Sequence, residues 1–483
     1  MDLNELIKLL TAKDAQISQL LERITNMQAQ LDNLLRILYG KKSEKNPSAS
    51  NDTTVNVCAD STVSKTKSTT NNPIRKKLPD ALPRENICYE LPISELKCDL
   101  CSNTCHKIGE EISQQLEMIP AKMFVKKHIR FKYACKNGCC VKVAPMPKQP
   151  IPKGIPGPGL LAEVVINKYQ DSLPLYRQAL RFERHGIDIP ESTLGDWMAQ
   201  SAQLLSPLVG LMHDDILRES HLYTDDTPVP VLAKGKTRKG RLWAYVSDRN
   251  NTFPCTIYDY SATRAQTAPQ KFLTGFKGYL QADAYSGYNT LYQSGDVTEI
   301  GCMAHTRRKF FDIAAELTTT DSLAHDALGL IAKIYAVESR CRDMHYKKRY
   351  FFRKKYLQSL YRKLHKWLIQ RQKTVIPNTP IYRAINYALN HWRALQNVFA
   401  DGRLEIDNNT AERAMRVVAI GRKNWMFAGS DQAGHNAAIF YSILESAKQN
   451  GLNTFNYLSD VLAKIPNTDS SDMFRLLPYH YAK

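Results

Sequence analysis

Three acidic residues of the chain stand where elements of regular structure are expected to end or begin. Asp225 follows the strand-like stretch "HLYT", Asp283 follows "GYLQA", and Glu412 lies in the first turn of a helix expected after "DNN". Magnesium is held in proteins by a few carboxylates, with water and phosphate oxygens completing its shell. Two such ions about 3.5–4 Å apart can stabilise both the entering and the leaving oxygen of a phosphodiester exchange. The three acids therefore predict a centre for two magnesium ions.

Each of these acids also has a simpler interpretation. Aspartate at a strand end is often a turn residue, and Glu412 could complete a capping box with Asn409 as the N-cap. Asp226 is not included in the centre, because adjacent residues of a strand point to opposite faces. Three acids at comparable positions in a basic chain favour metal binding over three unrelated turns and caps. Glu412 is then expected to serve both as a cap and as a metal ligand.

The charge of the chain indicates a polyanionic partner. Its 483 residues include 66 lysines and arginines against 47 aspartates and glutamates, which gives a net charge of +19. Such an excess points to nucleic acid or to an anionic membrane. No apolar run approaches the roughly 20 residues that a membrane span needs, and polar residues interrupt the N-terminal stretch, unlike a signal peptide. Nucleic acid is therefore the favoured partner, and no membrane is expected.

Cysteine spacing predicts a second, separate metal site. Six of the 11 cysteines fall between positions 98 and 140, in the stretches "CDLCSNTC" and "CKNGCC". Two thiolate pairs about thirty residues apart are typical of a structural zinc site, whose four protein ligands leave no open position. Reduced buried cysteines are the less favoured alternative, and Cys105 is a further candidate ligand. The predicted ligands are Cys98, Cys101, Cys135 and Cys139, with Cys140 as the alternate to Cys139.

The first forty residues carry a heptad repeat. Leucine or isoleucine recurs every seven residues from Leu3 to Leu38, and a second seam position holds mostly leucine and methionine. This pattern predicts a coiled coil, and isoleucine in one seam with leucine in the other favours a parallel homodimer. The alternative is an amphipathic helix that packs on its own protein. Residues 41–80 are rich in Ser, Thr and Asn and predict a disordered linker.

The elements that must position the acids begin with helices. Residues 160–198 predict helices interrupted near 171–174 and 186–190, and the last of them is expected to begin at Glu191 or Ser192. Two helices joined by such a turn are compatible with a DNA-binding helix-turn-helix. Ordinary helical hairpins have the same pattern, so this remains one of two alternatives.

Strand-like stretches follow the helices. The pattern predicts a strand from 221 that ends at the acids, a short strand after it, and β-rich runs at 241–248 and 254–260. A helix and a further strand at 278–283 come next. Three strands, a helix and a fourth strand, with Asp at the ends of the first and fourth, is the order of the ribonuclease H-like fold. The likeness to that fold is an analogy of element order.

A strongly basic helical region separates Asp283 from Glu412. Between Glu338 and Lys373 there are thirteen lysines or arginines and two acids, with aromatic residues interleaved. An ordinary solvated helix face carries a more even balance of charge. The region therefore favours a surface that contacts phosphates.

Several stretches of the sequence resemble the transposases of the insertion-sequence-66 family, a bacterial group that uses two aspartates and a glutamate. They occur in the order expected for the family and span nearly the whole chain. These stretches are "LYGKKSEK" (38–45), "KYQDSLPLYRQ" (168–178), "STLGDWM" (192–198), "DDTPVPVL" (225–232), "LQADAYSGYN" (280–289), "GCMAHTRRKFFD" (301–312) and "DNNTAERAMRVVAIGRKNWMFAGS" (407–430).

The resemblance implies an α/β multidomain protein. Its ribonuclease H-like catalytic core would be interrupted by a helical insertion and preceded by a coiled coil, a zinc-binding segment and a helical DNA-binding region. Carried over by position, the catalytic and magnesium-binding triad is Asp225, Asp283 and Glu412. The basic residues expected to contact DNA phosphates are Arg307, Arg308, Arg413, Arg416, Arg422 and Lys423. Two positions depart from the family pattern, which has Glu at Asp226 and Gly at Ala284.

The activity implied is that of a DNA transposase, which cuts DNA at the ends of its element and joins them to target DNA. Such a protein would work in the bacterial cytoplasm on the nucleoid, as a homodimer or larger oligomer, with accessory proteins of the same element. Two alternatives remain, a non-catalytic zinc-containing DNA-binding protein derived from a transposase and a nuclease acting on RNA–DNA hybrids. The expected segments before the core are the coiled coil (1–40), the linker (41–80), the zinc domain (81–147) and the helical region (148–215). The rest of the chain is expected to hold the first part of the core (216–315), the insertion (316–400), the second part of the core (401–450) and the tail (451–483).

Overall fold

The computed structural model of the chain describes residues 123–129, 131–134, 141–143, 147–248, 251–317 and 322–481. The chain divides into two compact units, Met1–Pro145 and Met146–Lys483. The predicted coiled coil, the linker and the zinc-binding cysteines lie outside the described residues. In the first unit, strands β1 (Lys132–Ala134) and β2 (Val141–Val143) pair antiparallel, with Tyr133 opposite Lys142.

A mixed five-stranded sheet forms the centre of the second unit. Its spatial order is β5-β4-β3-β6-β7. β3 pairs antiparallel with β4, and β4 with β5, whereas β3, β6 and β7 run parallel to one another. Consecutive residues of β4 and β5, including Trp243 and Tyr258, are buried, which is expected for strands covered on both faces. The strands are β3 (His221–Ala233), β4 (Lys236–Val246), β5 (Thr256–Ser261), β6 (Gly278–Gln281) and β7 (Val297–Ile300).

Strand β3 differs from the sequence prediction of two short strands, because it continues through the acids and through Pro228 and Pro230 for 13 residues. Proline has no amide hydrogen and is tolerated where the strand edge needs no donor. On the edge away from β4, the Pro230 carbonyl accepts from the Ala428 amide at 2.8 Å, and the Leu232 amide donates back to Ala428 at 2.9 Å. β6 pairs only with the first three residues of β3, so the strand passes beyond its parallel neighbour before the acids.

Helices cover the sheet and share one hydrophobic core with it. Buried members of this core include Leu205, Trp243, Phe440 and Leu458. The helix Asp431–Gln449 packs on the sheet, and the hydroxyls of its Ser442 and Ser446 accept hydrogen bonds from backbone amides of β5. The helices outside the region between β7 and α12 are α1 (Pro158–Tyr169), α2 (Leu175–Glu183), α3 (Glu191–Ile216), α4 (Thr267–Phe272), α5 (Asn289–Gln293), α12 (Asn409–Trp425), α13 (Asp431–Gln449), α14 (Thr454–Lys464) and α15 (Pro478–Tyr481).

The predicted helix breaks are confirmed. α1 ends at Tyr169, and α3 begins at Glu191 after a turn in which Gly186 has φ of 76°, a conformation that favours glycine. The buried face of α3 belongs to the same core as the sheet. Its sequence contains no lysine or arginine. The helix-turn-helix interpretation of α2 and α3 stays a prediction.

The region between β7 and α12 has a hydrophobic core of its own. Phe310, Ile331, Leu364 and Trp392 are among its buried members. Its helices are α6 (Met303–Glu316), α7 (Leu323–Cys341), α8 (Tyr346–Phe352), α9 (Gln358–Gln372), α10 (Pro380–Asn390) and α11 (Trp392–Gln396), and a single π-helical turn, Arg353–Leu357, joins α8 to α9.

Two of the thirteen basic residues between 338 and 373 are not on the surface. Arg349 and Arg353 are buried and form ion pairs with Glu338, which is 1% exposed. Arg349 also pairs with Glu405, and the Arg353 guanidinium donates to the Leu404 carbonyl. These two guanidinium groups therefore stabilise the insertion rather than extend its basic face. The other eleven basic residues are exposed.

Within the described part of the chain, none of the helices combines the length and apolar character that crossing a bilayer requires.

Candidate metal centre

Two aspartates occupy equivalent positions beyond the last paired residues of neighbouring parallel strands. Tyr223 of β3 lies opposite Gln281 of β6, where the two strands stop pairing. Asp225 and Asp283 follow each of these residues by two positions, so the side-chain alternation of a strand places them on the same face. A carboxylate oxygen of each lies within 4.8 Å of the other. The structure therefore brings the first two predicted ligands together.

A third carboxylate, that of Asp226, joins them, and here the sequence argument was wrong. An oxygen of Asp226 lies within 4.8 Å of oxygens of both Asp225 and Asp283. The expected separation across the strand fails because the Asp225 side chain turns along the backbone, where its Oδ1 accepts from the Asp226 amide at 2.8 Å. β6 pairs with β3 only as far as Tyr223, so β6 does not separate the two faces of β3 at the acids.

Both carboxylate oxygens of Asp226 accept hydrogen bonds from arginines, whereas no arginine among the described residues bonds Asp225. The Arg241 guanidinium donates to Asp226 Oδ2 at 2.8 Å, and the Arg264 guanidinium donates to Oδ1 through Nε and Nη2. The Asp226 side chain is only 2% exposed. Both of its oxygens are therefore already used, which leaves Asp225 and Asp283 as the better ligands.

Arg264 is a site residue that the sequence analysis missed. Its Nη2 lies 3.4 Å from Asp283 Oδ2, so one guanidinium bridges Asp226 and Asp283. The same guanidinium stacks over the Tyr285 ring at 4.2 Å from the centroid. It lies in the loop after β5, in "SATRAQ", where no local pattern marks it. Only the folded arrangement of β5 beside β4 and β3 brings it to the acids.

The electrostatics of the acids suit a cation. Burial, with smaller contributions from the charges of Asp283, Asp226 and Glu412, raises the pKa of Asp225 to about 7. Burial also raises the pKa of Asp283, against the opposing effect of the Arg264 guanidinium. Two carboxyl groups held together in a buried place repel each other when ionised. A divalent cation bound between them would remove that repulsion, so this donor set fits the predicted magnesium.

Glu412 does not cap its helix, contrary to the sequence expectation. α12 begins at Asn409, and the side chain of its N-cap, Asn408, bonds none of the amides of the first turn. Asp407 Oδ1 accepts from the Asn409 amide at 3.3 Å. The Asn408 side chain instead donates to the Thr224 carbonyl of β3 at 2.8 Å. The Glu412 amide already bonds the Asn408 carbonyl at 3.1 Å, so Glu412 stands one residue too far along for a capping box.

The carboxylate of Glu412 is left available. Its Oε1 is buried and accepts no hydrogen bond from any residue that the structure describes. Its charge contributes to the raised pKa of Asp225, so the two groups share one electrostatic environment. The bond from Asn408 to Thr224 explains this placement, because it ties the start of α12 to the residue just before Asp225.

Glu412 has two further neighbours, Cys302 and His305. One ligand atom of each of the three residues lies within 4.8 Å of the others, and His305 Nε2 is 3.9 Å from Glu412 Oε1. Cys302 immediately precedes α6, and its Sγ accepts from the Asn408 amide at 3.2 Å. The Met303 amide donates to the Ile406 carbonyl at 2.8 Å. The starts of α6 and α12 are therefore held side by side.

The predicted phosphate-contacting residues have different environments. Arg413, Arg416 and Lys423 are exposed on α12. Arg422 on the same helix instead donates to the Thr227 hydroxyl at 2.7 Å and to the Pro228 carbonyl at 2.6 Å, which joins α12 to β3. On α6, the Arg307 guanidinium lies over the Phe311 ring and Arg308 is exposed. Contact with DNA stays a prediction for all six.

Comparison with known protein families decides the relationship of the chain. Residues 153–436, which contain all the acids of the centre, match the family model described as "Transposase IS66 family". The chain belongs to this family. Further matches are to "zinc-finger binding domain of transposase IS66" at 95–140, "IS66 C-terminal element" at 442–479 and "Transposase C of IS166 homeodomain" at 26–87. The sequence-based recognition of the family is confirmed.

Relatives of similar length occur in Sinorhizobium fredii (strain NBRC 101917 / NGR234). The chain is 30% identical over 495 residues to the uncharacterized protein y4hP, and the aligned region covers 95% of this chain and 89% of the relative. It is 33% identical over 421 residues to y4jD, with 84% and 81% covered, and 30% identical over 485 residues to y4qI, with 95% and 89% covered.

The match at 95–140 supports structural zinc, because it contains both predicted cysteine pairs. The identity of the four ligands stays a prediction, since Cys98, Cys101, Cys135, Cys139 and Cys140 lie outside the described residues.

Proposed function

We propose that the chain is an active DNA transposase whose metal centre is formed by Asp225, Asp283 and Glu412. The observation that carries this proposal is the equivalent placement of Asp225 and Asp283 on neighbouring parallel strands, with carboxylate oxygens within 4.8 Å. The buried, unpartnered oxygen of Glu412 supplies the third acid. Asp226 serves as the arginine-bound support of this centre rather than as a ligand.

We further propose that the core is ribonuclease H-like. The order β5-β4-β3-β6-β7, with three antiparallel strands followed by two parallel ones, corresponds to the expected arrangement. The first Asp follows the pairing region of the central strand β3, and the second follows the adjacent parallel strand β6. The helices between β7 and α12 are then an insertion between the second Asp and the Glu.

The same centre would serve two phosphodiester reactions, cleavage and strand transfer. Asp225, Asp283 and Glu412 would hold two divalent ions, magnesium being the expected metal, and bound ions would stabilise charge on the entering and leaving oxygens. In cleavage, a water oxygen bonds to phosphorus as the bond to the 3′ oxygen breaks, and the free 3′-hydroxyl takes up a proton. In strand transfer, that hydroxyl attacks a target phosphorus and its proton passes to solvent. The target strand is released at its own 3′ oxygen, which takes up a proton.

Exposed basic residues of the same unit would hold the DNA. Arg413, Arg416 and Lys423 lie on α12, the helix that carries Glu412, so phosphates bound there would lie close to the acids. The zinc domain and the predicted helix-turn-helix are the candidates for recognition of element ends. We place this activity in the bacterial cytoplasm on nucleoid DNA. Dimers formed through the predicted N-terminal coiled coil would bring two ends together, and accessory proteins of the element would be further partners.

The decisive experiment compares cleavage with end binding. Purified full-length protein is tested on labelled DNA carrying the ends of its element, with Mg²⁺ or Mn²⁺. Asp225→Asn, Asp283→Asn and Glu412→Gln should each reduce strand cleavage by at least about a thousandfold, because each removes a group that acts in the transition state. End binding in a gel-shift assay should remain within about twofold of the wild type.

A matched control removes an acid elsewhere. Glu183 is exposed at the end of α2, and Glu183→Gln should leave both cleavage and binding unchanged. Wild-type protein that binds ends but cleaves nothing with any divalent ion would instead support the alternative, a non-catalytic DNA-binding protein derived from a transposase. Full cleavage by Glu412→Gln would exclude Glu412 as the third acid.

A further inference from the structure

Two helix starts meet beside the proposed centre, and each presents a potential ligand. His305 is the third residue of α6, and Glu412 is the fourth residue of α12. His305 Nε2 lies 3.9 Å from Glu412 Oε1, and both side chains are partly exposed, at 25% and 30%. The backbone bonds from Met303 to Ile406 and from Asn408 to Cys302 fix these two helix starts relative to each other.

Neither side chain satisfies the other. A separation of 3.9 Å is too long for a hydrogen bond. Glu412 Oε1 and His305 Nδ1 are both buried atoms for which the described residues offer no hydrogen-bond partner. A buried carboxylate oxygen without a partner is unfavourable, and an ion bound between Glu412 and His305 would supply that partner. A nitrogen and an oxygen that bind one ion at about 2.0–2.2 Å each are at most about 4.4 Å apart, which accommodates the observed separation.

The nearby Cys302 has a structural role and is not a third ligand. Its Sγ is already the acceptor for the Asn408 amide, and the residue is buried at 6% exposure. The contact of its Sγ with the Asn408 amide holds the start of α12 beside α6, which is the role we assign to it.

We propose that His305, with Glu412, supplies an imidazole nitrogen to one ion of the metal centre. The inference rests on the proposed function, and it deepens it by naming the class of metal. An all-carboxylate centre suits magnesium, calcium and manganese alike, whereas imidazole favours transition metals. A centre of mixed nitrogen and oxygen ligands therefore prefers Mn²⁺ to Mg²⁺. His305 becomes a metal-binding residue that the triad of acids does not include.

Manganese itself is the probe for this proposal. Full-length protein is titrated with Mn²⁺ and its binding is followed by electron paramagnetic resonance. Pulsed measurements then report whether a ¹⁴N nucleus couples to the bound ion, as it does when imidazole is a ligand. Wild-type protein should show this coupling, and protein grown with ¹⁵N-histidine should show the corresponding ¹⁵N signal. Mn²⁺ does not compete effectively with zinc for thiolates, so the zinc domain stays intact.

Variants identify the histidine. His305→Gln should lose the ¹⁴N coupling and bind Mn²⁺ at least about tenfold more weakly, with Mg²⁺ affinity within about threefold of the wild type. His185 is an exposed histidine at the end of α2, and His185→Gln should behave as the wild type. Thermal unfolding of each variant establishes that it is folded, and His305→Asn provides a second substitution if His305→Gln is not.

The outcomes separate this inference from the proposed function. Mn²⁺ binding that requires Asp225 and Asp283 but shows no histidine coupling overturns the role of His305 and keeps the metal centre. Coupling that persists in His305→Gln assigns the nitrogen to another histidine and also overturns it. No Mn²⁺ binding beyond the zinc domain in the wild type, with or without DNA ends, overturns both. Coupling lost only in His305→Gln supports both.

Discussion

At the scale of single residues, two adjacent aspartates have different roles, one in the fold and one in the proposed metal centre. Asp226 has both oxygens bonded to Arg241 and Arg264 and is almost fully buried. Asp225 has an acceptor bond to its neighbour's amide, and its pKa is raised because burial and nearby carboxylates disfavour its charge. A sequence motif with two consecutive acids does not reveal which one supports the fold and which one is free to bind a cation.

This difference predicts opposite effects on stability. Asp226→Asn should lower the free energy of unfolding by about 1–2 kcal/mol, because two partly exposed arginines lose their charged partner and solvent screens part of the loss. Asp225→Asn should leave the metal-free protein equally stable or more stable at pH 8, because it removes a disfavoured charge. Urea unfolding measures both. Equal destabilisation by the two substitutions would contradict the division of roles.

His221 is a second residue whose environment has a measurable consequence. It lies at the start of β3 with 3% exposure, and burial, assisted by the Arg403 charge, lowers its pKa to about 4. Between pH 6.5 and 4 the unfolded chain therefore binds a proton at this residue that the folded chain does not. The contribution of His221 to stability is fully present above pH 6.5 and is lost as the pH falls towards 4.

Replacement of His221 should remove this dependence. The loss of stability between pH 6.5 and 4 should be smaller in His221→Gln than in the wild type, by up to about 3 kcal/mol for the whole pKa shift. Urea unfolding at several pH values provides the comparison, and His185→Gln is the exposed control. Parallel pH profiles for the wild type and His221→Gln would show that His221 does not titrate as described.

At the scale of elements, one arginine joins the last turn of α12 to β3. Arg422 donates to Thr227 and Pro228, whereas the next residue, Lys423, is exposed. Arg422→Ala should therefore lower the free energy of unfolding by about 1–2 kcal/mol. Lys423→Ala should leave stability within about 0.5 kcal/mol and weaken DNA binding instead. Thermal unfolding and gel-shift titrations test the pair, and the reverse pattern would exchange the two assignments.

The helical insertion depends on a buried cluster of charges. Glu338 accepts from Arg349 at 2.8 Å and from Arg353 Nε at 2.9 Å, and Arg353 follows α8 at the π-helical turn. Glu338→Gln leaves the buried Arg353 guanidinium without its counter-charge and leaves Arg349 with Glu405 alone, so it should destabilise the protein by about 3–5 kcal/mol. Asp343, the other acid of this basic stretch, is exposed and provides the control. Calorimetry that finds Glu338→Gln as stable as Asp343→Asn would exclude a structural role for the cluster.

At the scale of the whole molecule, the excess positive charge is concentrated where the insertion exposes it. Eleven of the thirteen basic residues between 338 and 373 are exposed, and the aromatic side chains of Phe351 and Tyr356 among them are 69% and 43% exposed. Lys354 lies over the Tyr350 ring and Lys355 over the Tyr356 ring. A surface of this kind should contact many phosphates, and its contribution should depend strongly on salt.

Replacing a group of these lysines tests the contribution. Each lost phosphate contact should reduce the slope of log K against log salt concentration by about 0.9, so four lost contacts reduce it by about 3–4. The test set is Lys347, Lys348, Lys354 and Lys355, each changed to Gln. The control set, with the same change in net charge on other surfaces, is Lys148, Lys153, Lys277 and Lys464. Fluorescence anisotropy measures both, and equal slopes for the two sets would remove the insertion from the DNA interface.

Local and near-local sequence patterns were enough to predict the helix breaks, the succession of β3 to β6 along the chain, and the family. Turn residues interrupted the helices near 186–190, and apolar runs ending in acids marked the ends of β3 pairing and of β6. The long motif around Glu412 was enough to recognise the family, which comparison then confirmed.

Only the tertiary structure decided which groups surround the acids. The bond of Asn408 to Thr224 removes the expected helix cap, and the turn of the Asp225 side chain brings Asp226 to the centre. Arg264 reaches the acids from a loop 38 residues away in sequence from Asp226. The burial of Arg349 and Arg353 removes two of the thirteen basic residues from the surface that the sequence predicted to contact phosphates. Each of these depends on partners distant in sequence, whose positions no local pattern encodes.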